Sequence, residues 1–193
     1  MIKVGFICEG FTEQKLLNSS NFKLYLNQLG IDIIEDIINA EGAGNLLPHN
    51  IVGYIDRLKI KSANKIIILT DLDDDICITN TKKRINASAN EIVVIAVKKI
   101  ESWFLACNST MQKFLQDDTF HFEFPEKELV PFEKIRQLKL EKTGRGFNKN
   151  TGGKLNLINN LLSLGLDITE AAKHPNCPSA KYFIHKLEGI AKS

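Results

Sequence analysis

Residues 65–70, Lys-Ile-Ile-Ile-Leu-Thr, are followed at once by Asp71, Asp73, Asp74 and Asp75. This junction constrains the fold more than any other feature of the chain. The apolar run reads as a strand covered on both faces, as the strands of parallel sheets are. Four carboxylates in five positions repel one another, and only bulk solvent or a cation relieves that repulsion. Aspartate is also disfavoured inside a strand. The cluster therefore marks the point where the strand emerges from the sheet. In open α/β sheets, ligands bind at that edge, outside the carboxyl ends of the strands.

The surrounding pattern extends this reading. Residues 1–8 are strand-like, and Glu9-Gly10 interrupts them before a helical pattern over 11–29 that carries Phe11, Leu16, Leu17, Phe22, Leu24, Tyr25 and Leu29. Residues 31–38 fit a second strand, 41–45 a loop and 46–58 a helix. After the aspartates, 79–87 reads as helix, 92–97 as another fully apolar strand and 101–115 as helix. Strands that alternate with helices of this length predict an α/β fold, a Rossmann-like parallel β-sheet flanked by helices.

Beyond residue 116 the pattern changes. Residues 117–131 mix acidic and aromatic side chains with prolines, and 141–154 is basic and glycine-containing, which predicts a mobile loop. Helices are expected over 155–164 and 179–191, the latter with Tyr182, Phe183, Leu187 and Ile190 on one face. The expected organisation is an α/β domain over 1–116 and a loop-rich, helical C-terminal extension over 117–193 packed on the same domain.

Composition bounds the function classes. Of 193 residues, 44% are hydrophobic and 25% charged, as in ordinary soluble domains. A net charge of +2 argues neither for nor against a polyanionic partner, because 25 basic and 23 acidic residues can still be segregated on the surface. Cys8, Cys77, Cys107 and Cys177 lack paired spacing, so the expectation is buried, reduced thiols and neither a zinc ribbon nor a disulfide framework. No apolar run approaches the roughly 20 residues of a membrane helix, and no signal-peptide pattern opens the chain. No membrane association and a cytoplasmic location are expected.

Two acidic groups stand at the ends of predicted parallel strands. Glu9 follows the first strand, with Glu13 one helical turn later, and Asp71, Asp73 and Asp75 follow the strand at 65–70. If those strands are neighbours, the carboxylates converge on one site suited to Mg²⁺ or Mn²⁺, hard cations that take oxygen ligands. Such an ion activates water and neutralises charge on a phosphoryl group, which is chemistry on phosphodiesters or nucleotides. Taken singly, Glu13 also reads as an acid favoured at a helix N-terminus, and a strand-end aspartate as a turn residue.

The segments Glu9-Gly10-Phe11-Thr12-Glu13 and Thr70-Asp71-Leu72-Asp73-Asp74-Asp75 resemble the two motifs of TOPRIM domains, a glutamate after the first strand and an Asp-x-Asp pair after a later one. The Glu-Gly-x-Thr-Glu form is most similar to that of the overcoming-lysogenization-defect nucleases and small stand-alone TOPRIM-like proteins of bacterial phage-defence loci. The segments 100–105 and 179–183 are also similar to the stand-alone group. The resemblance covers about residues 1–107.

What it implies is metal-binding roles for Glu9, Glu13, Asp71 and Asp73, Asp75 as a second-site ligand, and acid/base work for Glu9. It also implies an assisting lysine, for which Lys154 and Lys181 compete. Glu101 is expected to support the metal site from behind or to be a helix N-terminal acid. The larger nucleases of this kind carry an ATPase domain that is not found in this sequence, which points to a partner protein such as an ATPase.

The remaining motifs carry less. The basic stretch 139–154, with Lys142, Arg145 and Lys149, is a candidate nucleic-acid contact for DNA or RNA and equally reads as a solvated loop. Asp71-x-Asp73-x-Asp75 mimics a calcium loop, but Ile76 and Lys82 stand where that loop needs glycine and glutamate. Gly153-Lys154 is followed by Leu155 where a P-loop needs Ser or Thr. The four histidines show no metal-ligand spacing. The expected function is a divalent-metal-dependent nuclease or phosphotransfer enzyme. The alternative is a non-catalytic metal- or nucleotide-sensing module that acts through a partner.

Overall fold

Successive side chains of a strand point to opposite faces of its sheet, and the central strands here bury both. In the computed structural model of the protein, which describes residues 1–147 and 152–192, the strands are β1 (Ile2–Cys8), β2 (Ile31–Ile33), β3 (Ile38–Asn39), β4 (Lys65–Asp71) and β5 (Glu91–Ala96). All recorded pairings are parallel. The order is β2-β1-β4-β5, with β3 continuing the β2 edge along β1. The α/β fold with a parallel sheet flanked by helices is therefore present, and it is consistent with a Rossmann-like arrangement.

Helices cover both faces. On one, Ile7, Ile66, Ile68, Val93 and Ile95 pack under α3 (Pro48–Ile60) and Ile85 of α4 (Ile78–Ile85). Gly5 permits the close approach of α3, since a Cβ there would lie 2.8 Å from Leu58 Cδ1. On the other face, Val4, Phe6, Cys8, Ile67, Leu69, Val94 and Ala96 join the buried side chains of seven helices. These are α1 (Phe11–Leu17), α2 (Ser20–Gln28), α5 (Glu101–Ala106), α6 (Asn108–Leu115), α7 (Pro131–Thr143), α8 (Gly153–Ser163) and α10 (Pro178–Ala191). Residues of α9 (Ile168–Lys173) complete that layer.

The C-terminal helices thus share one apolar core with the sheet. Phe183 of α10 stacks on Phe22 of α2 and on Trp103 of α5, with ring centroids 5.7 and 5.5 Å apart. Trp103 is fully buried, and its indole N–H donates to Ser179 Oγ at 2.7 Å. Ser179 also accepts from Val97 N (3.3 Å) and donates to Glu126 (2.5 Å), tying α10 to the end of β5.

Several boundaries differ from expectation. The single helix expected over 11–29 is two, because Ser19 leaves the helical region and its hydroxyl caps α2 by accepting from Phe22 N. The strand expected over 31–38 is interrupted: Asp36 turns out to Arg57 of α3 and to Lys61 just after it, 2.7 and 2.8 Å away. The helix expected over 101–115 breaks at Cys107, whose ψ of 79° is not helical. The stretch 141–154 is not all loop, since α7 runs to Thr143 and α8 starts at Gly153. Cys8, Cys107 and Cys177 are buried free thiols, whereas Cys77, also free, is exposed. Among the described residues, no helix is long and apolar enough to cross a membrane.

Candidate functional site

The chain leaves β1 to form β2 and β3 on one side, then returns to place β4 on the other. β1 and β4 therefore flank the point where the strand order reverses, which is where open α/β sheets leave a crevice at their carboxyl ends. Register pairs Cys8 with Leu69, so Glu9 emerges opposite Thr70, one residue before Asp71. A cleft of about 890 Å³ opens there. Its lining includes Glu9, Glu13, Asp71, Lys99 and Lys154, with Phe11 at the start of α1.

Glu9 is locked to β4. Its Oε2 accepts from Thr70 Oγ1 at 2.6 Å and from Asp71 N at 3.2 Å, while Oε1 takes part in neither bond. Its backbone N–H extends the ladder to Leu69 O. Asp71 is 6% exposed, and its Oδ1 accepts from Ile100 N at 2.8 Å. Glu13 is 5% exposed and lies against the backbone of Gly10, where a Cβ would sit 3.2 Å from its Oε2.

Burial pushes the Glu13 carboxyl up to about 7, and the nearby Glu101 and Glu9 add to this against its own backbone N–H and Lys154. Burial likewise raises Asp71 well above the usual carboxylate range, reinforced by Glu13, Glu101 and Glu9. This is a mutually repelling set of acids.

Glu101 opens α5 and is fully buried. Lys154 Nζ lies 2.8 Å from its Oε1, and its Oε2 has no hydrogen-bond donor among the described residues. Burial disfavours the Lys154 ammonium, but Glu101 and Asp71 overcome this and hold its pKa above the usual lysine value. A helix N-terminal acid in solvent would not be placed this way, so Glu101 belongs to the acidic group.

The other predicted residues do not line the cleft. Asp73 is ion-paired with Lys99 and only half-buried. Asp75 is turned away to Thr81 Oγ1 (2.7 Å) and Arg84 (2.8 Å), which hold it below the usual aspartate range, and it does not line the cleft. Lys181 lines a different surface pocket with Tyr25, Lys173 and His185. Of the two candidate lysines, the cleft contains Lys154 alone.

Lys142 is engaged by Asp117 at 2.8 Å and Arg145 is exposed, and neither lines the cleft. Lys149 lies outside the described residues. Sequence reasoning missed Lys99 as a cleft residue. Its signal was the Lys98-Lys99 pair one residue after β5. Lys98 sits in the left-handed region (φ 59°), as does Asp73 (φ 48°), where the chain turns over the sheet edge.

The donor set suits a hard divalent cation. It consists of carboxylate oxygens whose repulsion a cation would cancel, and a buried Glu101 oxygen with no donor among the described residues points the same way. Among the described residues, no three His, Cys, Asp or Glu side chains are grouped closely enough to form a cage that could hold a metal ion. Mg²⁺ does not require such a cage, because it uses one or two carboxylates and keeps several waters. Comparison of the chain with family models, with curated proteins and with solved structures finds no match, so what the cleft does is read from its own geometry.

Proposed function

We propose that the protein is a TOPRIM-like, Mg²⁺- or Mn²⁺-dependent phosphoryl-transfer enzyme, a nuclease acting on DNA or RNA. The observation that carries this reading is the meeting of Glu9, Glu13 and Asp71 with Lys99 and Lys154 at the carboxyl ends of adjacent parallel strands. One or two of the carboxylates Glu9, Glu13 and Asp71 would hold the ion together with waters, with Glu101 behind them. When bound, such an ion polarises water and neutralises phosphoryl charge.

The chain's own groups do the rest. Thr70 and the Asp71 amide fix one oxygen of Glu9, which leaves the other for a ligand or for accepting a proton. The Ile100 amide orients Asp71 in the same way. Lys99 and Lys154 bring positive charge to a site otherwise built of acids, where they would meet the non-bridging oxygens of a phosphodiester as charge develops there.

The test pairs binding with turnover. Calorimetry with Mn²⁺ should show binding that Asp71→Asn abolishes. Cleavage of single-stranded and duplex DNA and RNA should fall by about 100-fold or more in Glu9→Gln, since metal-assisted charge stabilisation is worth several kcal/mol. Undiminished cleavage by Glu9→Gln sinks the assignment of this site. Metal binding without cleavage under any condition, partner protein included, moves the function to a regulatory module.

A further inference from the structure

Phe11 is 60% exposed, although it is one of the large apolar residues of a chain whose sheet faces are otherwise well covered. Isolated exposed apolar residues are common on any surface. This one is different in its position: it lies two residues after Glu9, and it lines the cleft. Leu155 of α8 lines the same cleft and is 39% exposed. The cleft therefore offers apolar surface from two helices beside Lys99, Lys154 and the carboxylates. A ligand that matches it has a flat apolar part attached to an anionic phosphate, which describes a nucleotide unit.

Resting on the nuclease reading, we infer that Phe11 is a base-stacking residue and that the substrate is single-stranded nucleic acid. In a duplex the faces of the bases are covered by their neighbours, and only an unpaired or splayed base can stack on an aromatic ring. Stacking on aromatic side chains combined with charge along the backbone is how single strands are bound without sequence preference. The volume of about 890 Å³ leaves room for a base together with its sugar and phosphate. Among the described residues, the Phe11 side chain belongs to neither buried core.

The experiment is a coupling measurement with Ca²⁺ in place of Mg²⁺, so that binding is read apart from cleavage. Affinities of wild type, Phe11→Ala and Phe11→Trp are compared on fluorescent oligonucleotides, DNA and RNA, intact or carrying abasic sites, and on the corresponding duplex. Stacking of about one base predicts that Phe11→Ala weakens binding of the intact single strand by roughly 5- to 100-fold. The loss should be much smaller on the abasic strand, and Phe11→Trp should restore affinity. A 2-aminopurine base in the strand should be quenched by wild type and not by Phe11→Ala.

Equal losses on intact and abasic strands, tighter binding of duplex than of single strand, or no binding of single strands overturns the inference. The two readings fail separately. Cleavage without Phe11-base coupling removes stacking and keeps the nuclease. Coupling without metal-dependent cleavage removes the nuclease and keeps the single-strand site.

Discussion

Glu13 and Lys154 show how much of this site's behaviour is electrostatic. A carboxyl whose pKa is raised by folding holds its proton where the unfolded chain has lost it. Between about 4.5 and about 7, the folded state therefore binds more protons, and stability falls as pH rises through that window. For Glu13 the loss is on the order of 3 kcal/mol, at about 1.4 kcal/mol per unit of pKa. Asp71 acts in the same direction. Chemical denaturation of metal-free protein should show a lower midpoint at pH 8 than at pH 5, with a flatter profile in Glu13→Gln. Saturating Mn²⁺ should raise the midpoint at pH 8, because a ligand of the folded state stabilises it by mass action. Lys154 faces a Glu101 that solvent does not reach. Lys154→Met keeps the aliphatic stem and leaves that carboxylate buried without its cation. Because Lys154 itself is about half exposed, the expected cost is about 1–3 kcal/mol, below that of a fully buried pair. Adding Glu101→Gln should recover most of it, and a urea-denaturation cycle over the four proteins checks this.

At the scale of elements, the contact between β1 and α3 is the tightest place to test. Gly5→Ala would bring a methyl group to 2.8 and 2.9 Å from the two terminal carbons of Leu58, which is itself fully buried and cannot swing into solvent. Overpacking of this kind costs about 1–3 kcal/mol. Thermal unfolding should show that loss in Gly5→Ala, and the double variant Gly5→Ala, Leu58→Val should be more stable than the sum of the two single changes. The central strands were legible beforehand because β4 and β5 carry unbroken apolar runs. α7 was not. Only Pro131, Phe132 and Ile135 of its 13 residues are buried, so its apolar period is too weak to stand out from a charged stretch. The breaks at Ser19 and Asp36 depend on a cap and on ion pairs that short-range pattern reading passes over.

For the whole molecule, residues beyond 116 are part of the core and part of the site. Leu157, Ile158, Leu161, Phe183 and Leu187 are buried with Phe6, Phe22 and Trp103 in one cluster, and α8 brings Lys154 to the cleft. A chain ended at residue 116 would expose that face of the sheet and leave Glu101 without its lysine. It should unfold without a cooperative transition and bind a hydrophobic dye, as loosely packed states do. Cooperative melting of the truncated chain at the temperature of the full protein would show that the C-terminal helices are dispensable for the core.

Local chemistry in the sequence determined the central strands β1, β4 and β5, the parallel α/β class and the acidic residues at two strand ends, because apolar continuity and carboxylate crowding are properties of neighbours along the chain. Tertiary structure alone decided which acids meet. Parallel pairing in the register Cys8 to Leu69 sets Glu9 opposite Thr70, from where its carboxylate reaches the Asp71 amide. The turn after β4 sends Asp75 to Thr81 and Arg84, and the return of α8 over α1 selects Lys154 where sequence left it level with Lys181. Glu101 illustrates the difference most clearly. Along the chain it is a helix-opening glutamate, and only the packing of α5 and α8 around it makes it a fully buried acid paired with Lys154. Burial and long-range pairing are set by segments far apart in the chain, from 53 residues for Glu101 and Lys154 to 161 for Phe22 and Phe183, about which the spacing of residues along one segment carries no information.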